Sequence, residues 1–325
     1  MLIERWRDGE WSIAVGAPAS ADTDQGLSSI SCSSPTLCTA VGTENQDQPL
    51  AEDLVGDVWT SESSKLPNGQ SSGDLYGVEC VSPSTCIAVG ATGSPEDLAF
   101  VERFSGASGS AETVPDPPVA EAVGLNSVSC PSNVFCAVVG SVNTPAAEQG
   151  QAFAEVRDDG AWSTVPVPVP AGAIISELWR VSCTSSHFCA AVGGYCYDGC
   201  MSEGTLMDTW NGSTWTLWPP QNPTDESALS GVSCVSDQDC IAIGSASTIY
   251  DWYSTMHEYG PSYMLAGTWN GSGWSVQTQP TDGGGGEVSC SSSSSCLTLR
   301  SGSEYWDGQT WSPATEADPN GVLSD

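Results

Sequence analysis

The chain has 325 residues with 40 acidic and 7 basic side chains, a formal charge of −33, yet only 14% of it is charged, against about 25% in an average protein. The acidity therefore reflects missing Lys and Arg, and one lysine, Lys65, with six arginines cannot neutralise a run of phosphates or hold an anionic lipid surface. Nucleic acid and membrane insertion are thus not expected: no apolar run approaches the roughly 20 residues that span a bilayer, and the start, MLIERWRDGEWS, has no apolar segment of signal-peptide length.

In chain order, the first element is an aromatic hairpin, WRDGEW (Trp6, Trp11), ended by Pro18. A unit of about 50 residues then repeats. Twelve of the 14 cysteines form six pairs with five residues between partners: Cys32 with Cys38, Cys80 with Cys86, Cys130 with Cys136, Cys183 with Cys189, Cys234 with Cys240 and Cys290 with Cys296. Their first members are 48, 50, 53, 51 and 56 residues apart, a period in the range of propeller blades. Zinc pairs sit closer together and need four ligands, so disulfides are expected, each closing a seven-residue loop within one hairpin. Adjacent strands would hold the α-carbons about 5.5 Å apart. Persistent disulfides imply an oxidising compartment, hence a secreted or extracellular chain.

Each unit opens on strand a, with Leu five residues before the cysteine (Leu27, Leu75, Leu125, Leu178, Leu229) and Val or Ile two before it. Strand b follows the second cysteine and ends in Gly: Gly42, Gly90, Gly140, Gly193 and Gly244. Strands c and d form the aromatic hairpins WNGSTW, WNGSGW and WDGQTW, where Asn-Gly or Asp-Gly predicts type I′ turns. Degenerate copies run from Leu54 to Trp59, Phe104 to Gly109 and Arg157 to Trp162. Four antiparallel strands per unit bury their faces by radial stacking, which predicts an all-β propeller, one domain over residues 1–325, with repeats starting near 27, 75, 125, 178, 229 and 285. A right-handed β-solenoid is the competing fold. Six cysteine pairs give six complete blades. Residues 1–26 add a seventh c–d hairpin, and 320–325 (NGVLSD) match the start of a strand a, so a partial seventh blade is expected. A flanking segment or self-association would complete it. The alternative is a closed six-bladed ring with an extra hairpin.

The order of an apolar strand ending in Gly, an aromatic strand, a turn, Trp and a downstream Pro resembles the kelch repeat. The added VSCxSxxxCxAVG element is similar to the disulfide-bearing propeller repeats of predicted secreted proteins of high-GC Gram-positive bacteria. That resemblance implies the propeller fold. It implies no single activity, because kelch-like propellers include protein-binding scaffolds, lectins and a copper oxidase. The chain departs from the pattern in blade six, where Arg300 replaces the Gly.

Function is expected on the face carrying the d–a and b–c connections. Blade four carries GGYCYDGCMSEG there, with Cys196 and Cys200 spaced to close a short loop presenting Tyr195, Tyr197 and Asp198. Blade five carries the longest insertion, with Tyr250, Trp252, Tyr253, His257, Tyr259 and Tyr263. Such aromatics suit protein hot spots and sugar faces alike, or else bury themselves as a cap. Three residues before the first cysteine, strand a is small in four blades (Ser29, Gly77, Ser127, Gly231), but blade four has Arg180 beside Trp179, and blade six Glu287. Arg180 would meet a ligand carboxylate or sulfate, or else form an ion pair with an acidic residue. Two histidines, His187 and His257, exclude multi-histidine metal centres, and neither lies in a nucleophile motif. Asp22 and Asp24, Asp158 and Asp159, and Asp237 and Asp239 could bind Ca²⁺ but lack the ligand spacing of a known calcium loop, so no cofactor is expected, with Ca²⁺ as the weak alternative. The leading reading is a non-catalytic binding module for an extracellular protein or polysaccharide, the others a lectin and a glycan-active hydrolase or lyase.

Overall fold

The computed structural model describes the chain except residues 1–2, 8–9, 15–24, 46, 63, 95–96, 106–107, 113, 116, 118–119, 146, 198–202, 225, 250–258, 280–285, 300–302 and 315–325. The described chain is all-β. Strands β1 (Ile3–Arg7) and β2 (Glu10–Ala14) form a two-stranded hairpin. Six four-stranded antiparallel sheets follow, each a meander in chain order. Blade one is β3 (Gln25–Ser34), β4 (Leu37–Glu44), β5 (Gln48–Val55) and β6 (Val58–Glu62). Blade two is β7 (Ser72–Ser82), β8 (Thr85–Ser94), β9 (Ala99–Ser105) and β10 (Gly109–Glu112); blade three is β11 (Ala122–Ser129), β12 (Phe135–Thr144), β13 (Ala147–Asp158) and β14 (Ala161–Thr164). Blade four is β15 (Ile175–Ser185), β16 (Phe188–Cys196), β17 (Glu203–Trp210) and β18 (Trp215–Leu217); blade five is β19 (Glu226–Ser236), β20 (Asp239–Ile249), β21 (Tyr259–Trp269) and β22 (Trp274–Gln279). Blade six is β23 (Glu287–Ser292), β24 (Ser295–Leu299), β25 (Glu304–Trp306) and β26 (Trp311–Pro313). No helix in the described chain is long and apolar enough to cross a membrane. By contact density the chain divides into two compact units, Met1–Glu148 with Phe153–Val165, and Gln149–Ala152 with Pro166–Asp325.

All six x5 cysteine pairs are oxidised within their own a–b hairpins. Cys32 is bonded to Cys38, Cys80 to Cys86 and Cys130 to Cys136 in blades one to three. Cys183 is bonded to Cys189, Cys234 to Cys240 and Cys290 to Cys296 in blades four to six. The expected spacing needs correction: in all six pairs the α-carbons lie 3.9–4.1 Å apart, closer than the anticipated distance. The partners are directly opposed in register, as Cys32 is to Cys38, Cys183 to Cys189 and Cys290 to Cys296. The non-hydrogen-bonded pairs of an antiparallel ladder approach more closely than the hydrogen-bonded ones.

Just upstream, strand a of the first five blades carries the same irregularity: the register slips by one residue between Leu27 and Ser29, Leu75 and Gly77, Leu125 and Ser127, Leu178 and Arg180, and Leu229 and Gly231. The expected end of strand b at its glycine needs correction, since the strand runs two to five residues further, and the bulge explains why glycine stands there. A Cβ on Gly42, Gly90, Gly140, Gly193 or Gly244 would collide with the carbonyl oxygen of Gly26, Asp74, Gly124, Glu177 or Ala228 across the ladder.

Strand a also joins blades two, three, five and six to the blade before, and the serine preceding the cysteine takes part in three of these junctions. Cys80 donates its N–H to Ser31 Oγ at 2.9 Å, Cys234 to Ser182 Oγ at 2.9 Å and Cys290 to Ser233 Oγ at 3.1 Å. The apolar residue two before the cysteine fills the same junction: Val78 packs with Val41 and Ala51, Val128 with Val89 and Val101, Val232 with Val192 and Met207, Val288 with Ile241 and Ile243. Burying each such side chain contributes about 1.5–3 kcal/mol. The small residue three before the cysteine is also explained, since a Cβ on Gly77 would lie 3.1 Å from Asn126 O and one on Gly231 2.8 Å from Gly286 O.

The aromatic hairpins differ from expectation at their turns. In WNGSTW, Trp210 pairs with Trp215 across a four-residue loop in which only Gly212 has positive φ. The Asn211 side chain does the turning, accepting the N–H groups of Ser213 and Thr214 at 3.0 Å. Asn270 and Asp307 repeat this, and the two N–H donors hold the Asp307 carboxyl below its usual range. The type I′ geometry occurs in a degenerate copy instead, where Asp159 and Gly160 both take positive φ. The first Trp of each full hairpin has a second task, donating its indole N–H to the a–b turn: Trp210 to Ser186 O, Trp269 to Asp237 O and Trp306 to Ser293 O, all at 3.0 Å.

Candidate functional site

In blade four, Trp179 is the bulged residue of β15, and the bulge turns its half-buried ring over Gly194, where a Cβ would lie 3.0 Å from it. Arg180 is half-buried, with Nη1 bonded to Trp179 O at 2.9 Å and Nη2 paired with Glu287. Of the two outcomes expected for this arginine, the described contacts are those of the ion pair. Arg103 and Arg157 also face an acid, since both meet Glu112, which accepts the Trp162 indole N–H at 3.0 Å as well.

On the b–c connection, Tyr195 and Tyr197 separate into two roles. Tyr195 is buried, its ring filling the space a Cβ on Gly204 would take, and its hydroxyl accepts from Asn222 Nδ2 at 3.3 Å. Burial raises its pKa. Tyr197 is 44% exposed and stands edge-on to Tyr195, with ring centroids 5.2 Å apart. Cys196 is disulfide-bonded; its expected partner Cys200, together with Asp198, lies outside the described residues.

In blade five, Tyr263 is half-buried on β21 opposite Ala246. Tyr259 opens β21 opposite Ile249, but its side chain is not described. Tyr250, Trp252, Tyr253 and His257 lie outside the described residues. On blade four, Arg180 thus meets Trp179 through the Trp179 carbonyl, and Tyr195 meets Tyr197 ring to ring, as two separate pairs. His187 is elsewhere, on the a–b turn, with Nδ1 2.9 Å from Ser186 Oγ. Among the described residues no group of three or more His, Cys, Asp or Glu could hold a metal ion.

One set of chemically active residues escaped sequence reasoning. Two positions before the first hairpin aromatic, strand c carries Glu52, Glu102, Glu155, Asp208 and Glu304, all buried. Glu102 accepts from Ser64 Oγ and from the Lys65 N–H at 2.7 Å on the preceding d–a connection. Burial nevertheless pushes its pKa up to about 7. Asp208 fares differently, because neither carboxyl oxygen has a hydrogen-bond partner. Ser64 and Lys65 lie five and six residues beyond Trp59; the corresponding residues beyond Trp162 are Val167, which has no hydroxyl, and Pro168, which has no N–H. Burial takes Asp208 to about 8 and Glu79, on strand a, to about 7. The recurring acid at this hairpin position was the available signal.

Solved structures of similar shape decide what these sheets amount to. The fucose-specific lectin from Aleuria aurantia matches with a TM-score of 0.52 at 9% identity, over 89% of this chain and 96% of that one. YCF48 from Cyanidioschyzon merolae matches with a TM-score of 0.51 at 13% identity, over 92% and 83% of the two chains. The fold is a six-bladed β-propeller. A GH74 xyloglucanase from Xanthomonas campestris also matches, with a TM-score of 0.54 at 13% identity over 87% of this chain, which spans only 45% of that enzyme. No protein-family model and no curated protein matches the sequence. The propeller carries a disulfide in every blade, which points to an oxidising, extracellular environment.

Proposed function

We propose that this propeller is a secreted, non-catalytic binding module of kelch-like repeat type, taking a protein or glycan ligand on the connections of blades four and five. The observation that carries this reading is the exposed Tyr197 ring, held edge-on by the buried Tyr195 and close to the disulfide-bonded Cys196. A ring presented in fixed geometry loses little rotamer entropy when a ligand covers it. Trp179 adds a second half-buried ring on blade four, and Arg180 beside it pairs with Glu287 of blade six. The structural neighbours include a lectin in complex with α-methyl fucoside and a YCF48 bound to a D1 peptide, which fits a ligand of either class.

A glycan array and a panel of extracellular proteins, each probed with the 325-residue chain, test the reading. Binding should fall at least about tenfold in a Trp179→Ala, Tyr197→Ala double variant while the melting temperature stays within about 3 °C. Trp252→Ala with Tyr259→Ala applies the same test to blade five. Binding untouched by both variants would move the site elsewhere.

A further inference from the structure

Blade one differs from the others at one repeated position. Two residues before the first cysteine, Val78, Val128, Val181, Val232 and Val288 are 5%, 6%, 6%, 8% and 9% exposed, while Ile30 is 51% exposed. Leu27 is half-buried where Leu75, Leu125, Leu178 and Leu229 are fully buried. The face of β3 that other blades press onto a preceding sheet is therefore open. Beside it, Ile3 of the β1–β2 hairpin packs in one cluster with Cys38, Ala40, Leu54 and Trp59 of β4, β5 and β6. Strand c of the six blades lies between two neighbours, whereas β1 pairs only with β2 among the described residues. No described element supplies a strand a or b beside the β1–β2 hairpin.

We propose that the open face of β3, together with the free edge of β1, is a docking site for a partner polypeptide presenting a disulfide-closed a–b hairpin of this same repeat type. The site is continuous with the contact that Ile3 already makes, and the internal junctions specify the occupant. Its strand b runs along β1 as a β-addition. Its strand a carries a serine before the cysteine to accept the Cys32 N–H, as Ser31 accepts that of Cys80, and a small residue three before it. Ile30 then fills the position that Val78 fills against Val41 and Ala51.

Amide deuterium exchange on the 325-residue chain tests this, with a synthetic peptide of residues 226–249, oxidised at Cys234 and Cys240, as the probe. Its Ser233 is one of the serines that already accepts a junction N–H, from Cys290. In the chain alone, β1 and β3 should exchange about tenfold faster than their counterparts β5 and β7, and saturating peptide should slow them about tenfold. Ile30→Asp should abolish that slowing and leave exchange in blades two to six unchanged. If β1 and β3 are as protected as β5 and β7 without peptide, the face is already covered, by the chain's own segment 315–325 or by a second copy, and the proposal fails. No slowing at saturating peptide, or equal slowing in Ile30→Asp, also overturns it.

Discussion

Arg180 and Glu287 stand at the same position of their repeats, three residues before the first cysteine of blades four and six, and their side chains form an ion pair, whereas blade five has Gly231 at that position.

That arrangement separates charge from space. The two side chains are 28% and 50% exposed, so Arg180→Gln should cost less than about 1 kcal/mol. Gly231→Val drives a side chain toward Gly286 O and Ile243 and should cost about 1–3 kcal/mol. Urea unfolding of the two variants gives the order, and a larger loss for Arg180→Gln would mean the ion pair holds the blades.

The strand-b glycine makes a second pair of outcomes. Gly193→Ala puts a methyl group against Glu177 O at the bulge and should cost about 3 kcal/mol. Gly26→Ala meets nothing within 4 Å and should raise stability by about 0.4–1 kcal/mol through the unfolded chain. Thermal unfolding of both reads the difference directly.

Alkaline pH should weaken the fold. Glu79 and Glu102 titrate at about 7 and Asp208 at about 8 in the folded chain, against about 4 for unfolded carboxyls. Each binds its proton more tightly folded than unfolded, so the stability they contribute is complete below about pH 4 and is lost as pH rises through 7 and 8. Asp208→Asn, which removes the charge without changing the shape, should be more stable than the parent by about 1–3 kcal/mol at pH 9. Melting curves from pH 5 to 9 check both claims; parallel curves for parent and variant would show that Asp208 does not ionise in the folded state.

Each a–b disulfide closes a seven-residue loop, for which chain entropy predicts roughly 2–2.5 kcal/mol. Replacing Cys80 and Cys86 together by Ala should lower stability by about that amount and leave blades four to six oxidised. Non-reducing peptide mapping with chemical denaturation measures both.

Six complete blades, the strand order within them and the disulfide pairing were readable because each has a period: cysteines with five residues between them, a unit of about 50 residues and Trp pairs on tight hairpins; the expected partial seventh blade has no such period behind it. The turn type at Asn211 was not readable, because a side chain that caps its own loop lets the backbone avoid the positive φ that Asn-Gly suggested. At the candidate site, composition marked Tyr195 and Tyr197 equally, and only packing distinguishes the ring laid into the Gly204 gap from the ring turned outward. The strand-c carboxyls went unnoticed because an acid between apolar residues looks solvent-facing until the neighbouring blade is in place.

The indole bonds from Trp210, Trp269 and Trp306 to the a–b turns tie the two hairpins of a blade together at the end opposite the b–c connection. With the disulfide clamping the first hairpin and a Trp pair the second, both strands flanking that connection are fixed without its help. Its length is accordingly free in these blades, from the short link between Leu299 and Glu304 to the long one between Ile249 and Tyr259. Such a scaffold accepts grafted segments: a foreign peptide inserted between Leu299 and Glu304 would be displayed between hairpins that are already locked.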